Sequence, residues 1–445
     1  MSKILIATVP GSGHVNPMLP VAEELIRRGH EVHWYTGKVF QSKIETIGAI
    51  YEPMHAAFDH GGMAIEEAFP QLKGLRGLRY FMEAWKAIFI GMAPKQMQDI
   101  LAVLAVFPAD ALVCDETNFG MGLAHEKSGI PLAWISTSIY FFRSRDTAPI
   151  GLGLLPDASL LGRLRNWVLY FLADYVLLRE LKTYTDQMRM AVELPKIKKG
   201  VLQNITLPPE LYLMGTVPEF EYPRSDLYPG THFVGPFVGP PTDHFQPPVW
   251  WEDLKKARAV VHVTEGTVNY QSNRLLSPVI KAMAGEDVLV VATTGGTPTE
   301  QLSLPPLPDN VRVERFLPHY YLLPHVDVMV TNGGYGGVQM ALANGVPLVV
   351  AGATEEKPEV AAHVAYAGVG INLKTLTPTA QQLKRAILEI LNDSQYARRA
   401  QDLQHEYSLH NGPQRAAELI DQLIRSQYKQ PVRWRNNEPG ACRGC

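Results

Sequence analysis

The stretch Val326–Pro347, VDVMVTNGGYGGVQMALANGVP, constrains the fold more than any other part of the chain. Val326, Val328, Met329 and Val330 make the unbroken apolar run of a parallel strand buried on both faces. Thr331 and Asn332 end it, and Gly333, Gly334, Gly336 and Gly337 follow, interrupted only by Tyr335. The spacing predicts a helix from Val338, stopped by Asn344-Gly345 with Pro347 beyond. Glycines leave backbone N–H groups uncovered at a helix N-terminus, where negative charge is already favoured, so a diphosphate fits this turn. The alternative is a tight turn that needs glycine only for packing. No Gly-Lys-Ser/Thr follows, so this is not a nucleotide-hydrolase P-loop. A dinucleotide fingerprint also fits poorly, because that motif usually opens the first strand-turn-helix of a fold.

The chain opens with a second such unit. Lys3–Val9 reads as a strand, Pro10–Pro17 as a turn, Met18–Arg28 as a helix and Glu31–Thr36 as the next strand. The turn lacks the third glycine of the dinucleotide motif, and no acidic residue closes the second strand, which disfavours NAD. Ala111–Cys114 is another buried strand with Asp115 at its C-terminal end, where open α/β sheets place their ligands. The stretch at 215–249 is rich in proline and glycine and reads as a linker. Strand and helix patterns then resume through Ala259–Val263, Val288–Thr293, Val311–Arg315 and Leu348–Val350. The division expected is an N-terminal Rossmann-like domain at 1–225, a linker at 226–248 and a second Rossmann-like domain at 249–410. A helix at 411–428 and a disordered tail at 429–445 complete it. Two such halves place a cleft between facing sheet ends. The aromatic insertions at 56–95 and 139–181 supply Phe81, Trp85, Phe89, Tyr140 and Phe141, as core or as the lining of an apolar acceptor pocket. The apolar stretch Asn166–Leu178 could line that pocket, pack as a helical hairpin or touch a membrane surface weakly.

At 445 residues the chain can bury two or three cores, and its net charge of -3 gives no electrostatic case for nucleic acid. Three cysteines argue against a disulfide scaffold. The Cys442/Cys445 pair has no second pair to complete a metal site. No secretory pattern and no charge-free run of about 18 apolar residues is present, so a cytoplasmic location is expected.

The motifs together resemble the UDP-glycosyltransferase family of GT-B fold: plant small-molecule glucosyltransferases, bacterial macrolide glycosyltransferases and their relatives. Gly13-His14-Val15-Asn16-Pro17, Gly29-His30-Glu31-Val32 and Val234-Gly235-Pro236 carry the likeness in the first half. Thr264-Glu265-Gly266-Thr267, Phe316-Leu317-Pro318-His319, Val326–Pro347 and Glu356-Lys357 carry it in the second. The resemblance implies two Rossmann-like domains facing a cleft, with the C-terminal helix packing back on the N-terminal domain. It makes His14 the base that takes a proton from an acceptor hydroxyl and Asp115 the acid that orients it. Gly13, Thr267, Phe316, Leu317, Asn332, Gly334, Tyr335, Gly336, Gly337, Glu356 and Lys357 become the donor-binding set, with Phe316 where the family stacks a tryptophan on the base. Asn332, Gly337 and Met340 stand where the family has histidine, serine and a ribose-gripping glutamate, and Lys357 replaces a glutamine. The implied activity is inverting transfer of a hexose, from a UDP- or dTDP-sugar, to a hydroxyl of an apolar small molecule. It requires no cofactor and no metal. A nucleotide-sugar epimerase and a non-catalytic sugar-nucleotide-binding module are the rivals. The acceptor, the donor sugar and the oligomeric state are left open.

Overall fold

Among the described residues all the strand pairings are parallel, and they form two sheets with the same winding. The computed structural model describes residues 1–197, 200–239, 245–266, 273–352 and 356–429. Thr267, Cys442 and Cys445 lie outside the described residues, as does the tail from 430. The first sheet is built from β1 (Lys3–Ala7), β2 (Glu31–Tyr35), β3 (Ile50–Glu52), β4 (Ala111–Asp115), β5 (Leu132–Ile135), β6 (Leu211–Met214) and β7 (Thr231–Phe233). Its order is β3-β2-β1-β4-β5-β6-β7. The second is built from β8 (Val260–Thr264), β9 (Leu289–Thr293), β10 (Val311–Glu314), β11 (Val328–Thr331), β12 (Leu348–Val350) and β13 (Gly370–Asn372). Its order is β10-β9-β8-β11-β12-β13. Each sheet carries apolar clusters from both faces, which is why β4, β8 and β11 are buried along their whole length. In both, the winding reverses between the first strand and the fourth, and that reversal opens a crevice at the strands' C-terminal ends.

Three boundaries differ from the sequence reading. β7 pairs with β6 through Tyr212↔Thr231 and Met214↔Phe233, so the N-terminal sheet runs past residue 226 and the linker begins later. Tyr228-Pro229-Gly230 and Gly235-Pro236 flank this short strand and hide it inside a proline- and glycine-rich stretch. The first helix spans Ser12–Arg27 and carries Pro17 and Pro20 inside it, so His14 sits in its first turn rather than in a loop. The helix after the glycine turn spans Tyr335–Ala343, three residues earlier than expected, because glycine costs little at a helix end.

The closing helix, Gly412–Lys429, packs back on the N-terminal domain. Ala416, Ala417, Leu419, Ile420, Leu423 and Ile424 join the cluster that holds Ile4, Ile6, Ala22 and Leu25. Each buried Leu or Ile there contributes roughly 1.5–3 kcal/mol. Asp421 adds contacts to Arg28 at 3.1 Å and His30 at 2.8 Å. A second tie between the domains is polar and buried. Glu221 accepts from Arg224 at 2.8 Å and lies 3.3 Å from His363, whose ring stacks on Tyr222. Tyr407 donates to Gln339 at 2.6 Å and meets Thr216 at 3.1 Å.

Candidate active site

The N-terminal crevice brings together two residues about a hundred positions apart. β1 and β4 are neighbours, with Ala7 opposite Cys114, so the helix that follows β1 begins beside the residue that ends β4. His14 Nδ1 lies 3.1 Å from Asp115 Oδ1. The Asp115 side chain is fully buried, whereas His14 keeps 24% of its side chain exposed, so the ring is open on one side only. Asp115 Oδ2 accepts the Val9 N–H at 2.9 Å, and Oδ1 accepts the Thr117 N–H at 3.0 Å and the Thr117 hydroxyl at 2.5 Å. Burial pushes the Asp115 carboxyl up, but His14 and these donors outweigh it and hold the group below the usual carboxylate range. Burial also disfavours the imidazolium of His14; the Asp115 carboxylate outweighs that, aided by Glu116 and Glu356, and the histidine titrates above its ordinary value. A carboxylate on Nδ1 fixes the tautomer and leaves Nε2 as the nitrogen that can take a proton.

Sequence reasoning missed Glu116. Its side chain is buried, and it accepts the Thr137 N–H at 2.9 Å and the Thr137 hydroxyl at 3.3 Å. Burial, then the neighbouring Asp115 charge, lifts its carboxyl to about 7. The Asp-Glu doublet at a strand end was the available signal.

The C-terminal crevice is built the same way from β8 and β11, with Thr264 opposite Thr331. Of the four glycines in the turn, only Gly333 is demanded by the fold. Its φ is 85°, and a Cβ there would stand 2.8 Å from Val350 Cγ1. A Cβ on Gly334 or Gly337 would meet nothing closer than 3.7 Å, and one on Gly336 nothing within 4 Å. The protein itself leaves room for side chains at these three positions. Gly336 is exposed at the N-terminus of the helix, where the first-turn N–H groups of Tyr335, Gly336 and Gly337 have no partner within the helix.

Asn332 has partners within the protein. Its side-chain amide donates to the Glu265 carbonyl, and its Oδ1 accepts the Gly334 N–H at 3.2 Å. It ties the two loops of the crevice together, and the Gly334 N–H is turned inward. Lys357 is buried beneath the turn, and desolvation, then Arg274, lowers its ammonium to about 8. Glu356 precedes it at the start of the helix Lys357–Tyr366, close enough to His14 for the two charges to interact across the cleft.

Other expected site residues fall elsewhere. Phe316 is 65% exposed, as a base platform must be, but Leu317 is buried in the core. The Tyr335 side chain also points into that core, so only its backbone can serve the turn. Tyr140 and Phe141 are core residues as well. The Tyr140 hydroxyl accepts the Tyr228 N–H, and its backbone N–H donates to Glu221, which anchors the ring under Arg224. Phe81, Trp85 and Phe89 form a half-buried ladder with ring centroids 5.6 and 5.4 Å apart, and Trp85 packs against Phe119. Among the described residues, no group of three or more His, Cys, Asp or Glu side chains is arranged to hold a metal ion. No helix among them is long and apolar enough to cross a membrane.

Two parallel-sheet Rossmann-like domains, each offering its crevice to a shared cleft, define a GT-B fold. The structure aligns with the glycotransferase of kitacinnamycin with a TM-score of 0.72 at 23% identity, covering 95% of this chain and 98% of that one. The sequence profile described as "Erythromycin biosynthesis protein CIII-like, C-terminal domain" matches residues 278–424. The chain is 55% identical to 4'-demethylrebeccamycin synthase of Lentzea aerocolonigenes, over 95% of this chain and all of that protein. It is 32% identical to UDP-glycosyltransferase 2 of Phaeomoniella chlamydospora, over 94% of this chain and 95% of that one. The chain therefore belongs to the UDP-glycosyltransferase family, and it is a glycosyltransferase.

Proposed function

We propose that this enzyme transfers a hexose from a nucleoside-diphosphate sugar to a hydroxyl of an apolar natural product by a single inverting displacement. The observation that carries the reading is the His14–Asp115 pair, 3.1 Å apart and partly open to a cleft whose opposite wall is the glycine-turn helix N-terminus. An alcohol is a poor nucleophile until its proton leaves. His14 Nε2 takes that proton as the acceptor oxygen bonds to the anomeric carbon, and Asp115 stabilises the imidazolium. The bond from the anomeric carbon to the diphosphate oxygen breaks on the far side, so configuration inverts. The charge on the leaving diphosphate meets the first-turn N–H groups at 335–337 and the positive end of the helix dipole. Phe316 offers its exposed ring to the base. The relationship to 4'-demethylrebeccamycin synthase supports a natural-product acceptor.

The test is turnover of a labelled UDP- or dTDP-hexose with and without a hydroxylated aromatic acceptor, with the anomeric configuration of the product read by NMR. Sugar transfer only when acceptor is present, with inversion, is expected. An epimer formed without acceptor, or retention of configuration, would overturn the reading. Activity should survive excess chelator. Loss in EDTA restored by magnesium or manganese would add a metal to the mechanism.

A further inference from the structure

The helix Lys357–Tyr366 follows directly on Glu356, whose charge reaches His14 across the cleft. The same helix is held to the N-terminal domain at two further points. In its first turn, Glu359 Oε2 accepts the Gly153 N–H at 2.9 Å. Gly153 lies in the stretch between β5 and the helix Leu160–Leu172, and a Cβ on it would stand 3.1 Å from the Pro358 carbonyl oxygen, so the two backbones approach closely. One turn later, His363 is fully buried, with Nε2 3.3 Å from Glu221 Oε2. Glu221 is itself fixed on the N-terminal side. Its Oε1 accepts the Tyr140 N–H at 3.1 Å, and its Oε2 accepts from Arg224, whose guanidinium lies over the Tyr140 ring.

The protons on His363 follow from these partners. Its Nδ1 lies 2.8 Å from the Glu359 carbonyl, which can only accept. Its Nε2 faces the Glu221 carboxyl. Burial pushes that carboxyl up, but His363 and then Arg224 outweigh it and hold the group well below its ordinary range. An ionised carboxylate also can only accept, so both ring nitrogens carry hydrogen and His363 is an imidazolium. Removing one member of this set would strand a charge in a buried site, so the groups act as a unit.

We infer that His363 and Glu359 are positioning residues: they latch the helix that begins beside Glu356 onto the N-terminal domain and so set the width of the cleft across which the acceptor oxygen meets the anomeric carbon. Neither touches a reacting atom. The inference rests on the transfer reading above, in which the two reactants come from opposite walls, and rate falls steeply when such reactants are misplaced. The test compares wild type with His363→Gln, Glu221→Gln, Glu359→Ala and the His363→Gln/Glu221→Gln double variant. At saturating donor and acceptor, kcat should fall about ten- to a hundredfold in each single variant. The double variant should fall no further than the worse of its two singles, because both serve one contact. Affinity for UDP and TDP by calorimetry should stay at the wild-type value, while the maximum dimension from small-angle X-ray scattering should increase. On wild type, 15N NMR at pH 7 should show both His363 ring nitrogens protonated, a signature that does not depend on any variant folding. Unchanged kcat and scattering in folded His363→Gln would leave the residue a role in folding alone and overturn the inference. Nucleotide affinity lost in step with kcat, or a His363 ring with one bare nitrogen, would overturn it too. If wild type transfers no sugar from any nucleotide sugar, the transfer reading fails instead, and the scattering and NMR results still decide the latch.

Discussion

The two crevices share one winding and differ in what fills them. In the N-terminal half, β1 and β4 deliver side chains: an ionised carboxylate buried under three donors and the His14 ring, a second carboxyl that titrates near 7, and a histidine with a raised affinity for protons. In the C-terminal half, β8 and β11 deliver backbone: Gly334, Gly336 and Gly337 with open Cβ positions, a helix N-terminus, and an Asn332 side chain that ties loops together. On the proposed function, the contrast follows from the two tasks. Moving a proton needs a titratable group whose charge is stabilised at the moment of transfer. Holding a diphosphate needs fixed dipoles that approach closely, and a side chain in that space would stand in the way. Equivalent positions of one architecture can thus be specialised by changing which part of the chain reaches the crevice.

The largest effect should come from breaking the first crevice. His14→Ala should lower kcat by roughly 10²–10⁴-fold, the contribution of a positioned general base. A nitrophenol acceptor, which arrives partly ionised, should lose least. Equal rates for His14→Ala and wild type on an aliphatic alcohol would end the dyad assignment. In the second crevice, Gly336→Val should weaken nucleotide binding by about a hundredfold or more, since it displaces charge-assisted bonds worth about 1.5–3 kcal/mol each. Its melting temperature should barely move, because the added Cβ meets no protein atom within 4 Å. Normal binding by that variant would place the phosphates elsewhere. Phe316→Ala should cost about 1–3 kcal/mol of donor affinity, the scale of a base–aromatic stack, and unchanged affinity would remove Phe316 from the site.

The smallest effect is a displacement along the pH axis. The base works deprotonated, so kcat/KM should rise with pH through the His14 pKa, which lies above the ordinary 6.5. In Asp115→Asn the burial that lowers this pKa stays and the largest raising influence is gone, so the ascending limb should move to lower pH while the rate falls. Glu116→Gln should move it the same way by less, because Glu116 acts after Asp115 among the groups that raise His14. A limb that stays in place in Asp115→Asn would mean that it does not report His14.

Much of this contrast was legible in the chain. The glycine turn and the His14 and Asp115 positions announce themselves through residue type and strand-end placement. The direction of a side chain did not. Leu317, Tyr335 and Tyr140 sit in motif or aromatic stretches, and only packing shows that their rings and methyls face the core. The bond from Asn332 to Glu265, 67 residues away, could not be read from the turn alone. The first helix was read late because Gly11, Gly13 and Pro17 punctuate it; Gly11 is its N-cap, Gly13 lies in its first turn and Pro17 is accommodated inside it.

The division of labour itself is tested most directly by titrating one nucleotide, UDP or TDP, into His14→Ala and Gly336→Val by calorimetry, alongside wild type. The account predicts wild-type affinity in His14→Ala, despite its lost turnover, and affinity weakened about a hundredfold or more in Gly336→Val. Comparable loss of affinity in the two variants would contradict it, because the donor would then be held by the N-terminal crevice as much as by the glycine turn.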